Sequence, residues 1–348
     1  MELLKKLPMP DTMSTDEIKG LLLKEEYGYL PLGETEISAR VLEEEPRFAT
    51  GKAVLTKLEF TVKGSFGEYT FPIYYTKLLS DKKVPCFIHI NFRDNVPDMY
   101  QPTEEIIDSG YSVLSFCYKD VSSDDGDFTN GLSGLIYPGG KRGEHDCGKI
   151  GLWAWAAMRV MDYAQTLPEL DTEHITVVGH SRLGKTALLT GMLDDIFFCA
   201  ISNNSGCSGA ALSRETDGET IRDICTTFPF WFNKNYLKYM DNEDKLPFDQ
   251  HYLLAANSKH LVYVASASED EWAGPKNEYL SCVAASSYFE KQGKKGFIHP
   301  DRLAEIGDAF HEGNIGYHLR AGKHYLGRYD WQKYIEFLNK KTNGEAMA

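Results

Sequence analysis

The sequence predicts an α/β fold: a doubly wound, mostly parallel sheet with an antiparallel hairpin at its N-terminal edge. Three observations carry that expectation. Short, continuously apolar runs recur at 84–92 (VPCFIHINF), 111–118 (YSVLSFCY), 174–179 (HITVVG), 197–202 (FFCAIS), 261–266 (LVYVAS) and 315–319 (IGYHL), as expected of strands buried on both faces. Helical patterns lie between several of them, which is the alternation of a parallel sheet with crossover helices. Ahead of them, 53–62 (AVLTKLEFTV) and 69–76 (YTFPIYYT) flank the Gly-containing segment KGSFGE and read as a hairpin.

Residues 1–50 are charged and weakly periodic, and read as an N-terminal extension lying on the main body. Within them Ser14 followed by Glu17 forms a capping-box pattern ahead of a short helix. Residues 51–348 read as one domain. The strongest helical periodicity is at 148–167, with apolar residues at Ile150, Trp153, Ala157, Val160, Met161, Ala164 and Leu167. Trp153 and Trp155 there read as core. Further helices are expected at 184–193, 275–290 and 330–341. Two insertions stand out: 119–147, rich in Gly and Asp, and 207–250, with aromatics at Phe228, Phe230, Trp231, Phe232, Tyr236 and Tyr239. Those aromatics suit either a stacking platform or a hydrophobic cover. Ligands of doubly wound sheets bind beyond the carboxyl ends of the strands, so the strand-to-helix junctions carry the functional information.

Composition removes several classes. Of 348 residues, 37 are Lys or Arg and 51 are Asp or Glu, a net charge of −14. Such a balance argues against nucleic acid and against anionic membrane surfaces, both of which call for a basic face. No run is long and apolar enough for a membrane span or for a signal-peptide core, which points to a cytoplasmic protein unless a leader has been removed. Seven scattered cysteines without a CxxC pair suggest neither a disulfide framework nor a zinc site. No cofactor and no metal are expected, and no pattern sets an oligomeric state.

The chemistry concentrates in ITVVGHSRLGKTALL, residues 175–189. An apolar strand runs into Gly179-His180-Ser181-Arg182-Leu183-Gly184 and a helix follows, the context of a nucleophile elbow. A sharp turn there would lift Ser181 Oγ out of the sheet, and the next amide would face a developing oxyanion. The pattern departs from GxSxG: Leu183 holds the second glycine position and Gly184 comes one later. A serine nucleophile needs a base and an orienting acid. In α/β-hydrolases these follow in the order Ser, Asp/Glu, His, each on a loop after a strand. Asp270 follows LVYVAS, with Glu269 and Glu271 as rivals. His324 follows IGYHL in the loop before the final helix, and His318 is its rival within the strand.

The same residues resemble the glucuronoyl esterases, carbohydrate esterases within the α/β-hydrolase superfamily. GHSRLGKTAL is similar to their GCSRxGK signature, and the likeness continues through SNNSGCSGAALSR (202–214), LPFDQHYLLA (246–255), ASASEDEWAGP (265–275) and GKHYLGRYDW (322–331). The resemblance implies an α/β-hydrolase fold, with Ser181 as nucleophile and His324 as general base and then acid. It further implies Arg182 as oxyanion support, Lys185 on sugar hydroxyls and Trp272 against the sugar. It places the acid either at Asn204, which cannot act as a carboxylate, or at Asp270. It implies as well a Gln and a Glu on the uronate, whose positions these motifs leave open.

Weaker signals remain. GGKRG at 139–143 does not fit a P-loop and reads as a flexible loop. Asp124, Asp125 and Asp127 lack EF-hand spacing and read as a solvated acidic loop. Arg93 follows FIHINF where a hydrolase supplies its second oxyanion donor. The expected function is therefore serine esterase chemistry on a small carbohydrate ester, most simply a (4-O-methyl)glucuronoyl ester. The alternatives are an acetyl esterase of xylo-oligosaccharides and a catalytically silent, sugar-binding hydrolase fold.

Overall fold

Alternate residues of the apolar runs point to opposite faces of one sheet. Cys86, Ile88 and Ile90 face one side of their strand and Phe87 the other; Ile175 and Val177 oppose Val178; Val262 and Val264 oppose Tyr263. Both sets are buried, which is why the runs carry no polar alternation. Covering each such side chain stabilises the fold by about 1.5–3 kcal/mol. Helices Lys149–Ala164 and Arg182–Leu193 cover one face, and helix Arg328–Glu345, through Trp331, Tyr334 and Phe337, covers the other.

The computed structural model describes residues 2–30 and 33–345. Among them the strands are β1 Glu36–Arg47, β2 Ala53–Gly64, β3 Gly67–Leu78, β4 Val84–Asn91, β5 Ser112–Cys117, β6 Leu170–His180, β7 Cys199–Asn203, β8 Leu261–Ala267, β9 Ala309–Phe310 and β10 Ile315–Arg320. They form one sheet in the order β1-β2-β3-β5-β4-β6-β7-β8-β10-β9. From β5 to β10 the neighbours run parallel. The β1–β2–β3 edge, its join to β5 and the short β9 are antiparallel. This is an α/β-hydrolase architecture, with the expected hairpin as β2 and β3.

The stretch 36–47 does more than lie on the body. It forms the outermost strand, paired with β2 from Glu36↔Lys63 to Glu45↔Leu55. The sequence hid it because an edge strand bathed by water needs little apolar content, and EISARVLEEEPR offers little. Its charges also discourage pairing with another chain. Helix Thr15–Leu22 carries the expected capping box, with Ser14 N–H donating to Glu17 Oε2 (2.7 Å) and Glu17 N–H to Ser14 Oγ (3.2 Å). Ile18, Leu22 and Tyr27 are fully buried in the main core. All seven cysteines are buried and free. No helix among the described residues is long and apolar enough to cross a membrane.

Candidate active site

The elbow forms where the sequence places it. Ser181 sits at the end of β6 with φ 59° and ψ −128°, a conformation that costs a non-glycine residue about 1–3 kcal/mol. Two glycines let the turn close. A Cβ on Gly179 would lie 2.0 Å from the Leu183 carbonyl oxygen, and one on Gly184 would crowd Ser202, Asn203 and Ser205 at 3.1–3.2 Å. Gly184 thus gives the helix its close approach to β7, one position later than in the usual pattern. The Arg182 N–H, first in the helix, has no intrahelical acceptor.

Ser181, Asp270 and His324 all line one cavity of about 380 Å³ at the carboxyl ends of β6, β8 and β10. The His324 imidazole bonds through Nδ1 to Asp270 Oδ2 at 2.6 Å. Asn204, the residue at the alternative acid position, donates through Nδ2 to that same oxygen at 2.8 Å. Burial by itself would raise the Asp270 carboxyl. The bonds from His324 and Asn204 outweigh it and hold the group below its ordinary value, ionised at neutral pH. Its neighbours Glu269 and Glu271 are exposed, whereas Asp270 is buried. His318 is fully buried, bonded to Asp330 and Tyr263, and does not line the cavity.

Beside His324 lies His180, with ring centroids 4.4 Å apart. His180 Nδ1 bonds to Asn203 Oδ1 at 2.6 Å. Burial, and then the neighbouring His324, push its pKa down to about 3, so it is a neutral wall beside the His324 ring. Its position is the cysteine of the GCSRxGK signature. Below the cavity, Glu278 accepts from Gly206 N–H (3.0 Å) and Ser266 Oγ (2.6 Å), and burial raises it to about 7.

The cations beside the serine each have a carboxylate nearby. Arg182 Nη1 donates to Asp124 Oδ2, and its guanidinium lies 4.7 Å from the centre of the Trp231 ring and 5.3 Å from that of Phe228. Asp124 also accepts from Trp231 Nε1 and the Tyr118 hydroxyl, each at 2.8 Å. Lys185 Nζ donates to the carbonyls of Ser205 and Cys207, and stands 3.8 Å from Glu219 Oε2. Glu219 lines the cavity and its N–H donates to the Trp272 carbonyl at 2.8 Å; burial raises its pKa against the pull of Lys185. Trp272 is 59% exposed at the rim. Phe228 and Trp231 stack at 3.8 Å and form part of the cavity wall, while Phe232, Tyr236 and Tyr239 are buried cover. Of the insertion aromatics, only Phe228 and Trp231 reach the cavity, and Trp231 is itself covered by Phe228 and the Arg182 guanidinium.

Several expectations need correction. Arg93 is not brought to the site. It is exposed beyond β4, its Nη2 lies 3.5 Å from Met99 Sδ, and its N–H is engaged by Asn91 Oδ1 at 3.3 Å. Asp124 is no solvated residue, since its side chain is only 7% exposed and serves three donors. Asp125 and Asp127 are exposed but organised, accepting from Ser123, Thr129 and Asn130 within the loop. The GGKRG segment is tied down: Arg142 donates to the Cys147 and Phe232 carbonyls and covers Phe128. Glu219, Asp124 and His180 were missed. Only His180 carried a local signal, as the residue before the nucleophile.

Comparisons with known proteins fit this geometry. A family model described as fungal glucuronyl esterase matches residues 59–293. A curated carbohydrate esterase, MZ0003, from an unknown prokaryotic organism is 34% identical over 378 residues, covering 95% of this chain and 85% of the relative. A 4-O-methyl-glucuronoyl methylesterase of Podospora anserina is 25% identical over 197 residues, covering 54% of this chain and 40% of that protein. Among solved structures, a glucuronoyl esterase from Solibacter usitatus superimposes with a TM-score of 0.84 at 30% identity, over 95% of this chain and 92% of that one.

Proposed function

Starting from the fact that this chain belongs to the glucuronoyl esterase family and is a carboxylic ester hydrolase, we propose that it cleaves (4-O-methyl)glucuronoyl esters through a glucuronoyl-enzyme on Ser181. The single observation that carries the mechanism is the Asp270–His324 pair facing the cavity of a strained serine elbow. The ionised Asp270 accepts the Nδ1 proton of His324, which leaves Nε2 with its lone pair. His324 takes the Ser181 hydroxyl proton as Oγ bonds to the ester carbonyl carbon. The oxyanion forms beside the Arg182 N–H and guanidinium. Collapse breaks the acyl–oxygen bond, and the imidazolium returns its proton to the leaving alcohol. Water, deprotonated by His324, then adds to the acyl-enzyme, and glucuronate leaves as Ser181 Oγ is reprotonated.

The sugar has its own contacts. Two of the three Lys185 N–H bonds go to carbonyls, so the third is available to a sugar hydroxyl alongside Glu219. Trp272 offers an exposed face for the ring. Parallel hydrolysis of a benzyl glucuronate ester and an aryl acetate tests the reading, with Ser181→Ala as control. The expected result is a higher kcat/KM on the glucuronate ester, abolished in the variant. A preference for the acetate would leave an esterase and remove the uronate assignment. Equal activity of Ser181→Ala would remove the mechanism.

A further inference from the structure

His324 rides on a short loop between β10 and helix Arg328–Glu345, and its side chain is 43% exposed. A residue so placed gains little from core packing. Something else must fix it to the fraction of an ångström that proton transfer needs.

The loop is gripped from beneath by one side chain. Arg320, the last residue of β10, donates through Nη1 to the carbonyls of Ala321 (3.0 Å) and Lys323 (3.1 Å), and through Nη2 to that of Tyr325 (2.5 Å). The last two are the residues on either side of His324. The fork is aimed in turn by Asp330, whose Oδ1 accepts Arg320 Nε at 2.8 Å. Asp330 Oδ2 accepts the Gly327 N–H at 2.8 Å and so closes the far end of the loop. Its carboxylate is 1% exposed and is also met by His318 Nε2 at 3.0 Å. His318 is braced by Tyr263, which bonds to its Nδ1 at 3.0 Å. The clamp reaches the acid as well. Ser268 N–H donates to the Arg320 carbonyl and Glu269 N–H to that of Gly322, both at 2.9 Å, so the Asp270 turn is stitched to the His324 loop.

We propose that Arg320 and Asp330 are positioning residues for His324, the guanidinium fork holding the two peptide carbonyls that flank the catalytic imidazole and the buried carboxylate aiming the fork. The proposal rests on the assignment of His324 as general base. Neither residue lines the cavity. Their loss should therefore slow the step that needs an aligned imidazole while leaving substrate binding intact. A lysine in place of Arg320 keeps the charge but has no planar fork to span carbonyls on both sides of His324.

The test uses the full chain and a benzyl glucuronate ester, with melting temperature recorded for each variant. Arg320→Lys and Arg320→Ala are expected to lose about 10- to 100-fold in kcat with KM within about twofold. Added guanidinium ion should restore Arg320→Ala several-fold, whereas sodium at equal ionic strength should not. Asp330→Asn, nearly isosteric, is measured alongside, so that an Arg320 variant that fails to fold still leaves a reading; the same split is expected. Folded variants with kcat within about twofold of wild type would overturn the clamp. So would a loss carried by KM, or one that merely tracks melting temperature without guanidinium rescue. Ser181→Ala in the same assay separates the two claims. If it is inactive while the Arg320 and Asp330 variants are unimpaired, the clamp alone fails. If it stays active, the catalytic reading fails and the clamp with it.

Discussion

Replacing Asp124 with asparagine tests how Arg182, the proposed oxyanion support, is held. The native carboxylate serves Arg182 and Tyr118 through one oxygen and Trp231 through the other. Asparagine has one acceptor oxygen and no charge. Either the Trp231 N–H or the Arg182–Tyr118 pair then meets an amide NH2, and a donor is stranded. Leaving a buried donor unpaired costs about 1–3 kcal/mol. Arg182 is not wholly released, because contact with Trp231 and Phe228 retains about 0.5–1 kcal/mol each. Outright removal of one oxyanion donor costs about 2.7–4 kcal/mol in the transition state. Displacement without removal should cost about 1.4–2.7 kcal/mol, a fall of about 10- to 100-fold in kcat. Steady-state hydrolysis of a benzyl glucuronate ester reads the change, with KM expected within a few-fold. An unchanged kcat, or an effect confined to KM, would show that Asp124 does not hold Arg182 for the chemistry.

Two further predictions concern carboxylates. Asp270→Asn should lower kcat by orders of magnitude, because the amide can present NH2 to His324 Nδ1 and favour the wrong tautomer; Glu269→Gln and Glu271→Gln, at exposed positions, should leave it within about twofold, and the reverse pattern in the same assay would move the acid to a neighbour. Glu278 is raised from its ordinary value to about 7, mainly by burial. Its contribution to stability is therefore full below pH 4.5 and is lost as pH rises through 7, by up to about 3 kcal/mol. Urea unfolding at pH 5 and pH 8 should show Glu278→Gln losing less stability than wild type over that interval; parallel losses would contradict the buried, raised acid.

The parallel part of the sheet was legible because each of its strands is buried on both faces and so appears as an unbroken apolar run. Strand β1 was not, since a solvated edge leaves no such run; β9, at two residues, is too short to pattern. Ser181, Asp270 and His324 were legible for a topological reason: each follows a recognisable strand, in the chain order of an α/β-hydrolase. The supports of the site were not. Asp124 comes from an insertion and meets Arg182 across 58 positions of sequence; Glu219 comes from the other insertion. Neither loop has a periodicity that would report where its side chains go. Arg93 failed for the complementary reason, since a position after a strand does not fix where a loop side chain turns. The amide bond of Asn204 to Asp270 could be seen only in three dimensions.

The most direct measurement is the fate of Ser181 itself during turnover of a benzyl glucuronate ester. Acid-quenched enzyme, digested and weighed by mass spectrometry, should carry one glucuronoyl group on the peptide containing Ser181, and Ser181→Ala should show neither the adduct nor hydrolysis. Undiminished hydrolysis by Ser181→Ala, or an adduct on another residue, would contradict a glucuronoyl-enzyme at the elbow.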